Sequence, residues 1–211
     1  DKQIFSVFKD GKCGCVDRNG KIVIPFDYEN ILSNSYDFVP VKKDGKWGLL
    51  SADNNVIIPN EYEDINIPGE RNTKHFWVKK TDGLFYHFNY KKKKISSNGY
   101  KFVYNFKYGM AYVVPQGLIV EDSPVNRAQI YAPNTPKATL DAVDMSKMQG
   151  CYVNIINDKD EMVFDLPVST MYKDKVRDIL VKRGGKMLSD SEKKDIILDV
   201  TRDNRTYDLN K

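Results

Sequence analysis

The stretch Asp10-Gly11-Lys12-Cys13-Gly14 returns 34 residues later as Asp44-Gly45-Lys46-Trp47-Gly48. The same offset carries Ile24-Pro25 onto Ile58-Pro59, Tyr28-Glu29 onto Tyr62-Glu63 and Ile31 onto Ile65. No gap is needed. The positions between change conservatively: Ile22 to Val56, Val23 to Ile57, Asp27 to Glu61, Asn30 to Asp64. Self-similarity at a fixed period is the signature of a repeat architecture. In such a fold one supersecondary unit buries its apolar face only against its neighbours.

Each unit has a physical reading. A strand leads in, over Ile4–Phe8 or Phe38–Lys42. Asp-Gly then supplies the left-handed residues of a tight hairpin turn. A second strand follows, over Lys12–Val16 or Lys46–Leu50. A polar turn, Asp17–Gly20 or Ser51–Asn54, opens a β-branched third strand, Lys21–Ile24 or Asn55–Ile58. Pro25 and Pro59 are expected to end that strand, because proline cannot donate to a ladder. Tyr28 with Ile31, and Tyr62 with Ile65, anchor the return to the next lead-in strand. The unit is an antiparallel three-stranded meander.

A third unit is degenerate. Phe76–Lys80 leads in, Asp82-Gly83 turns, and Leu84–Phe88 is the second strand, with Tyr86 at the glycine position. Tyr100 and Val103 take the anchor positions. Tyr108–Val114 begins another lead-in strand, and a fourth hairpin is expected from Tyr152–Ile156, a turn at Asn157–Asp160, and Glu161–Phe164.

Lys46-Trp47-Gly48-Leu49-Leu50, then Val56-Ile57-Ile58-Pro59 and Tyr62, resembles the WG repeat, the KWG-type repeat of bacterial proteins. The first unit is similar, with Cys13 in place of the tryptophan. The resemblance covers about residues 1–114. It implies a β-repeat module that serves as an interaction or structural element, and it carries over no catalytic residue.

Residues 115–150 hold Pro115, Pro124, Pro133 and Pro136 among polar residues and read as a long irregular connection. A short strand at Ala128–Tyr131 and a short helix at Asp141–Met148 are expected within it. Beyond residue 168 the period becomes helical. Tyr172, Val176, Ile179 and Leu180 form one stripe, with Ser169 as N-cap and Gly184-Gly185 as the stop. Ser189 and Glu192 have capping-box spacing, and Ile196, Ile197 and Val200 form a second stripe. A helical hairpin is expected. The fold class is therefore α+β, mainly β. Its domains are 1–114, the repeats, and 115–211, the connection, a divergent hairpin and the helices.

Composition narrows the chemistry. The chain has 211 residues, 12% of them aromatic, but only 2 His and 3 Cys. His75 and His87 flank the third hairpin, with no further ligands at metal-binding spacing. Cys13, Cys15 and Cys151 read as free thiols. Glu29, Glu63, Asp27 and Glu61 recur with the repeat and read as solvent-facing loop positions. No glycine-rich phosphate loop is present. A catalytic site, a metal and a cofactor are therefore not expected.

The candidate binding residues are Trp77, Tyr90, Lys92, Lys93 and Tyr62. Trp77 alternates with Phe76 and Val78, so it lies exposed unless another layer covers it, and a tryptophan beside tyrosine forms a stacking platform. Lys91–Lys94 behind Tyr90 is the most basic spot. It reads either as an anion contact or as a lysine-protected turn or edge.

Residues 1–117 hold 18 Lys/Arg against 13 Asp/Glu, intermixed, which is unlike a nucleic-acid-binding stripe. No apolar run approaches the length of a membrane span. The expected function is a non-catalytic module binding protein or peptide through stacked β-repeats. The alternatives are glycan or small-ligand binding by surface Tyr and Trp, and a hydrolase with its site in 115–211. The chain begins at Asp1 and is rich in Tyr and Asn, which leans toward export. The unpaired cysteines lean toward the cytoplasm.

Overall fold

The computed structural model describes residues 3–32, 37–67, 74–121, 123 and 151–206. The expected strand at Ala128–Tyr131 and helix at Asp141–Met148 lie outside them. The chain is mainly antiparallel β-sheet followed by two helices, as its period implied. It divides into two compact units, Asp1–Gly99 and Tyr100–Lys211. The chain passes from one to the other within a strand, whereas the repeats alone set the expected division after residue 114.

In the first unit, β1 (Ile4–Lys9), β2 (Lys12–Asp17) and β3 (Ile22–Tyr28) form the first meander. β4 (Asn30–Ile31) is its return. β5 (Phe38–Lys43), β6 (Lys46–Ser51), β7 (Val56–Tyr62) and the return β8 (Asp64–Asn66) repeat the pattern. β9 (His75–Lys79), β10 (Phe85–Asn89) and the start of β11 (Lys94–Val103) make the third. The first two hairpins close with Asp10 at φ 50° and Gly11 at 79°, and with Asp44 at 51° and Gly45 at 74°. Both central residues are left-handed, as a two-residue hairpin of this twist requires.

The third strand does not end at its proline. β3 and β7 run on to Tyr28 and Tyr62. Cys15 pairs with Ile24 but Cys13 pairs with Tyr28, so two residues of β2 face four of β3. Leu49 with Ile58 and Trp47 with Tyr62 show the same step. Pro25 and Pro59 fall inside this bulge, where the ladder is interrupted and a missing N–H costs nothing. The bulge also explains the glycine of the repeat. A β-carbon on Gly14 would lie 2.8 Å from the Ile24 carbonyl oxygen and 3.0 Å from the Phe26 ring.

Consecutive meanders of this unit bury one apolar face against the next. Ile4, Cys15, Ile24 and Ile31 of the first meet Val39, Val41 and Leu50 of the second. Phe38, Leu49, Ile58 and Ile65 of the second meet Phe76, Val78 and Phe88 of the third. Each lead-in strand therefore does two jobs. One edge pairs with the preceding return, and one face receives the preceding core.

The second unit completes a fourth meander where the repeat period suggested only a hairpin. The end of β11 pairs with β12 (Met110–Pro115), Val103 opposite Val113, as Ile31 pairs with Val41. β12 pairs with β13 (Tyr152–Asn157), and β13 with β14 (Met162–Ser169). Ile155 faces Phe164 and Val153 faces Val168, which reproduces the bulge step. Asn154 stands at the glycine position, and its side-chain amide donates to the Leu166 carbonyl at 3.1 Å. The polar turn recurs too. Asn157 Oδ1 accepts from the Lys159 and Glu161 amides, as Asp17 Oδ1 accepts from Asn19 and Lys21.

Helices α1 (Lys173–Lys182) and α2 (Asp190–Thr206) follow. The N-cap of α1 is Tyr172, with no side-chain bond, rather than Ser169. Ser169 is the last residue of β14, and the chain needs a turn before it enters the helix. The capping box holds: the Ser189 amide donates to Glu192 Oε2 at 2.8 Å, and the Glu192 amide donates to Ser189 Oγ at 3.3 Å. Val176, Leu180, Ile196, Ile197 and Val200 are buried with Tyr152, Phe164 and Val168 of the meander. No helix among the described residues is long and apolar enough to cross a membrane.

Candidate functional site

The repeat supplies its own comparison for locating an unfilled surface. β5 is flanked by β4 on one side and β6 on the other, and β9 by β8 and β10. β1 ends its sheet, with β2 on one side only among the described residues. At the 34-residue offset, Phe5, Val7 and Phe8 correspond to Val39, Val41 and Lys42. Val39 and Val41 are 0% exposed, whereas Phe5 is 44% and Val7 37% exposed. Phe8 is 70% exposed. Among the described residues β1 is thus an apolar strand with an open edge and an open face, unlike its counterpart β5.

The backbone of that edge can be read residue by residue. At the second meander Glu29 N–H donates to the Lys42 carbonyl at 2.8 Å, and Leu32 N–H to the Pro40 carbonyl at 3.2 Å. Pro40 and Lys42 thus point their main-chain groups outward. Their counterparts on β1 are Ser6 and Phe8. The Gly45 amide of the hairpin donates to both carboxylate oxygens of Glu29, at 3.2 and 3.3 Å. Gly11 is the counterpart of Gly45, and among the described residues no carboxylate reaches it. Lys9 and Lys12 stand exposed on either side of this turn.

The sequence-derived binding residues fall in different places. Trp77 is fully buried, its ring 5.5 Å from that of His87, so it offers no stacking face. Tyr62 is buried opposite Trp47, and burial first, then the Glu61 carboxylate, pushes its hydroxyl up. Tyr90, Lys92 and Lys93 do share one turn after β10. There Lys92 N–H donates to Asn89 Oδ1 at 3.1 Å, and Tyr90 packs edge-on against Phe38 at 5.4 Å. The turn is solvent-facing for the lysines, but its aromatic partner belongs to the core.

His75 Nδ1 and His87 Nε2 lie 2.8 Å apart. One nitrogen must carry the proton and the other must be bare, so at least one ring is neutral. Among the described residues no cluster of three His, Cys, Asp or Glu side chains could hold a metal. The three cysteines are free. Cys15 is buried, and burial, then Cys13, pushes its thiol up to about 11.

One cluster escaped the sequence reading. Lys173 lies over the rings of Tyr104 and Tyr112, at 5.7 and 5.5 Å, and Arg177 over Tyr108 and Tyr112, at 5.5 and 5.3 Å. The Tyr112 hydroxyl donates to Asp174 Oδ1 at 2.8 Å, and Arg177 reaches Asp174 at 2.9 Å and Asp178 at 3.5 Å. Burial, then the bond to Asp174, raises the Tyr112 hydroxyl. The Tyr112 bond holds the Asp174 carboxyl below its ordinary range. Two cations and two carboxylates balance, so this is a clamp fastening α1 to β12. The i, i+4 spacing of Tyr104, Tyr108 and Tyr112 was the signal for it, but it lies across a turn and a strand rather than along a helix.

The comparisons with known proteins agree with the geometry of the first unit. The family model for the WG containing repeat matches residues 14–47, one full period from the glycine of the first meander to the tryptophan of the second. No curated protein and no solved structure matches the chain. Residues 14–47 of this chain are therefore similar to the WG containing repeat, and the three-stranded meander to which they belong recurs along the chain.

Proposed function

We propose that the chain is a non-catalytic interaction module that binds protein or peptide. The observation that carries this reading is the edge of β1, lined by Phe5, Val7 and Phe8 and open among the described residues, at the position where β5 and β9 each hold a strand. A sheet edge gives a partner main-chain hydrogen bonds, and alternate side chains give it specificity. Proteins usually blunt such an edge with charges, prolines or bulges. β1 has none of these over Ile4–Phe8, whereas the covered β5 carries Pro40.

A peptide-display selection against the whole chain tests the reading. Enriched peptides should lose binding to a Val7→Lys variant, which places a charge on the exposed edge while leaving the buried core alone. Enriched peptides that bind Val7→Lys as well as the parent, or no enrichment at all, would contradict it.

A further inference from the structure

We infer that the lysine turn between β10 and β11 docks a run of Asp and Glu on a partner polypeptide, a contact that does not depend on β1. The other meanders supply the comparison. Each joins its second strand to its third by the same turn. Gly20 N–H donates to the Asp17 carbonyl at 3.0 Å, Asn54 to Ser51 at 2.9 Å, Lys93 to Tyr90 at 3.3 Å and Asp160 to Asn157 at 3.1 Å. The donating residue is left-handed every time, with φ of 79°, 65°, 47° and 67°. Glycine, asparagine and aspartate enter that region at the least cost, and lysine has no such advantage. Lys93 therefore stands where the turn itself favours another residue. The turn does not call for charge either. Residues 18–21 carry two cations, 52–55 one acid, and 158–161 one cation and three acids, whereas 91–94 are four lysines. β3 and β7 hold the same place in their sheets as the start of β11, so protection of a strand edge does not account for the run.

Lys74 adds a fifth cation, because its carbonyl accepts from the Tyr90 amide at 2.9 Å. All five lysines are exposed, and none forms an ion pair among the described residues. The first turn carries its own carboxylate, Asp17, which accepts from the Asn19 and Lys21 amides. The third has Tyr90 at that position and no acid within the turn. A lysine ammonium is a compact point charge on a flexible stem and reads charge density rather than planar geometry. Five of them on one exposed turn suit an occupant that brings several negative charges at once. The turn's single aromatic side chain, Tyr90, packs edge-on against Phe38 and Phe76, at 5.4 and 6.4 Å, so it offers no platform for successive bases. The turn has no other apolar side chain to enter a bilayer, and a basic patch without a second signal anchors poorly. An acidic polypeptide segment needs neither, and its attraction to the turn speeds encounter.

The test is the fluorescence anisotropy of a fluorescein-labelled decaglutamate peptide titrated with the whole chain at low salt. Saturable binding that weakens steeply with added salt is expected. Lys91→Ser, Lys92→Ser, Lys93→Asn and Lys94→Ser together should weaken it by about tenfold or more. Lys159→Ser, Lys182→Ser, Lys186→Ser and Lys194→Ser together remove the same net charge elsewhere and should leave binding within about twofold. Thermal melts report folding. Lys93→Asn alone should melt no lower than the parent while binding the peptide less tightly, which a structural role for Lys93 would not produce. An equal loss in both sets would overturn the inference, because binding would then follow net charge and not the turn. Absence of binding, or a lower melt for Lys93→Asn, would overturn it as well. Turn-dependent binding of duplex DNA or of phosphatidylserine vesicles that is tighter than that of the peptide would give the turn to nucleic acid or membrane, and would overturn the assigned partner.

Discussion

Gly48 and Asn60 approach so closely that a β-carbon on Gly48 would lie 2.9 Å from the Asn60 carboxamide carbon. The Asn60 amide in turn donates to the carbonyls of Val41 and Lys46, at 2.9 and 3.0 Å. The glycine of the repeat is thus the space into which the bulge folds. The third meander reaches the same end by exchange. Tyr86 takes the glycine position, and a β-carbon on Gly99 would lie 2.8 Å from its ring.

Gly48→Ala should therefore destabilise the chain by about 1–3 kcal/mol through overpacking, although alanine is no worse than glycine in a strand. Asn60→Gly in the same chain should return part of the loss. Denaturant unfolding of the two single variants and the double variant measures the coupling. A neutral Gly48→Ala would show that the bulge relaxes freely.

Asn60→Leu removes two hydrogen bonds to carbonyls and should cost about 2 kcal/mol. Asn60→Asp is closer in shape but should cost more near neutral pH. It sets a carboxylate against two carbonyl oxygens and supplies no donor. Unfolding at pH 7 ranks the two variants, and the opposite order would contradict the assigned bonds.

These bulges also mark what the amino-acid pattern could and could not say. The 34-residue offset located the strands and hairpin turns of the first two meanders, because Asp-Gly and alternating apolar residues act locally. It missed that β3 and β7 pass their prolines, since a bulge depends on the partner strand and not on the proline's own neighbours. It underread the fourth meander because Asn154 replaces the glycine and residues 116–151 separate β12 from β13. Trp77 was misplaced for a similar reason. One strand's alternation names two faces but does not say that both are covered. The open edge of β1 is invisible until β4 and β8 are seen on its counterparts.

The Tyr112–Asp174 bond predicts a pH dependence. The Asp174 carboxyl is held below its unfolded value, chiefly by the Tyr112 hydroxyl. Its contribution is complete above the ordinary carboxylate range near pH 4 and is lost as pH falls through the lower folded value. Tyr112→Phe should leave a shallower loss of stability on acidification than the parent shows. Thermal melts from pH 7 to pH 2 compare the slopes, and parallel curves would contradict the linkage.

The cysteines should separate by reactivity. Cys151 is exposed, while Cys15 is buried with its thiol raised to about 11. At pH 8 a thiol-disulfide reagent should label Cys151 in the folded chain and reach Cys15 only on unfolding, because the thiolate is the nucleophile. Mass spectrometry of the labelled peptides identifies the order. Early labelling of Cys15 would show that the first meander opens.

The most direct measurement of the open edge is amide hydrogen exchange along β1. In the chain alone, the Ser6 and Phe8 amides should exchange quickly while Val7, which faces Gly14 on β2, is protected. Adding a peptide enriched by display against the chain should slow Ser6 and Phe8 and leave Val7 unchanged. Ser6 and Phe8 amides already as protected as Val7 in the chain alone, or unchanged by a peptide that binds, would contradict the claim that β1 is the receptor strand.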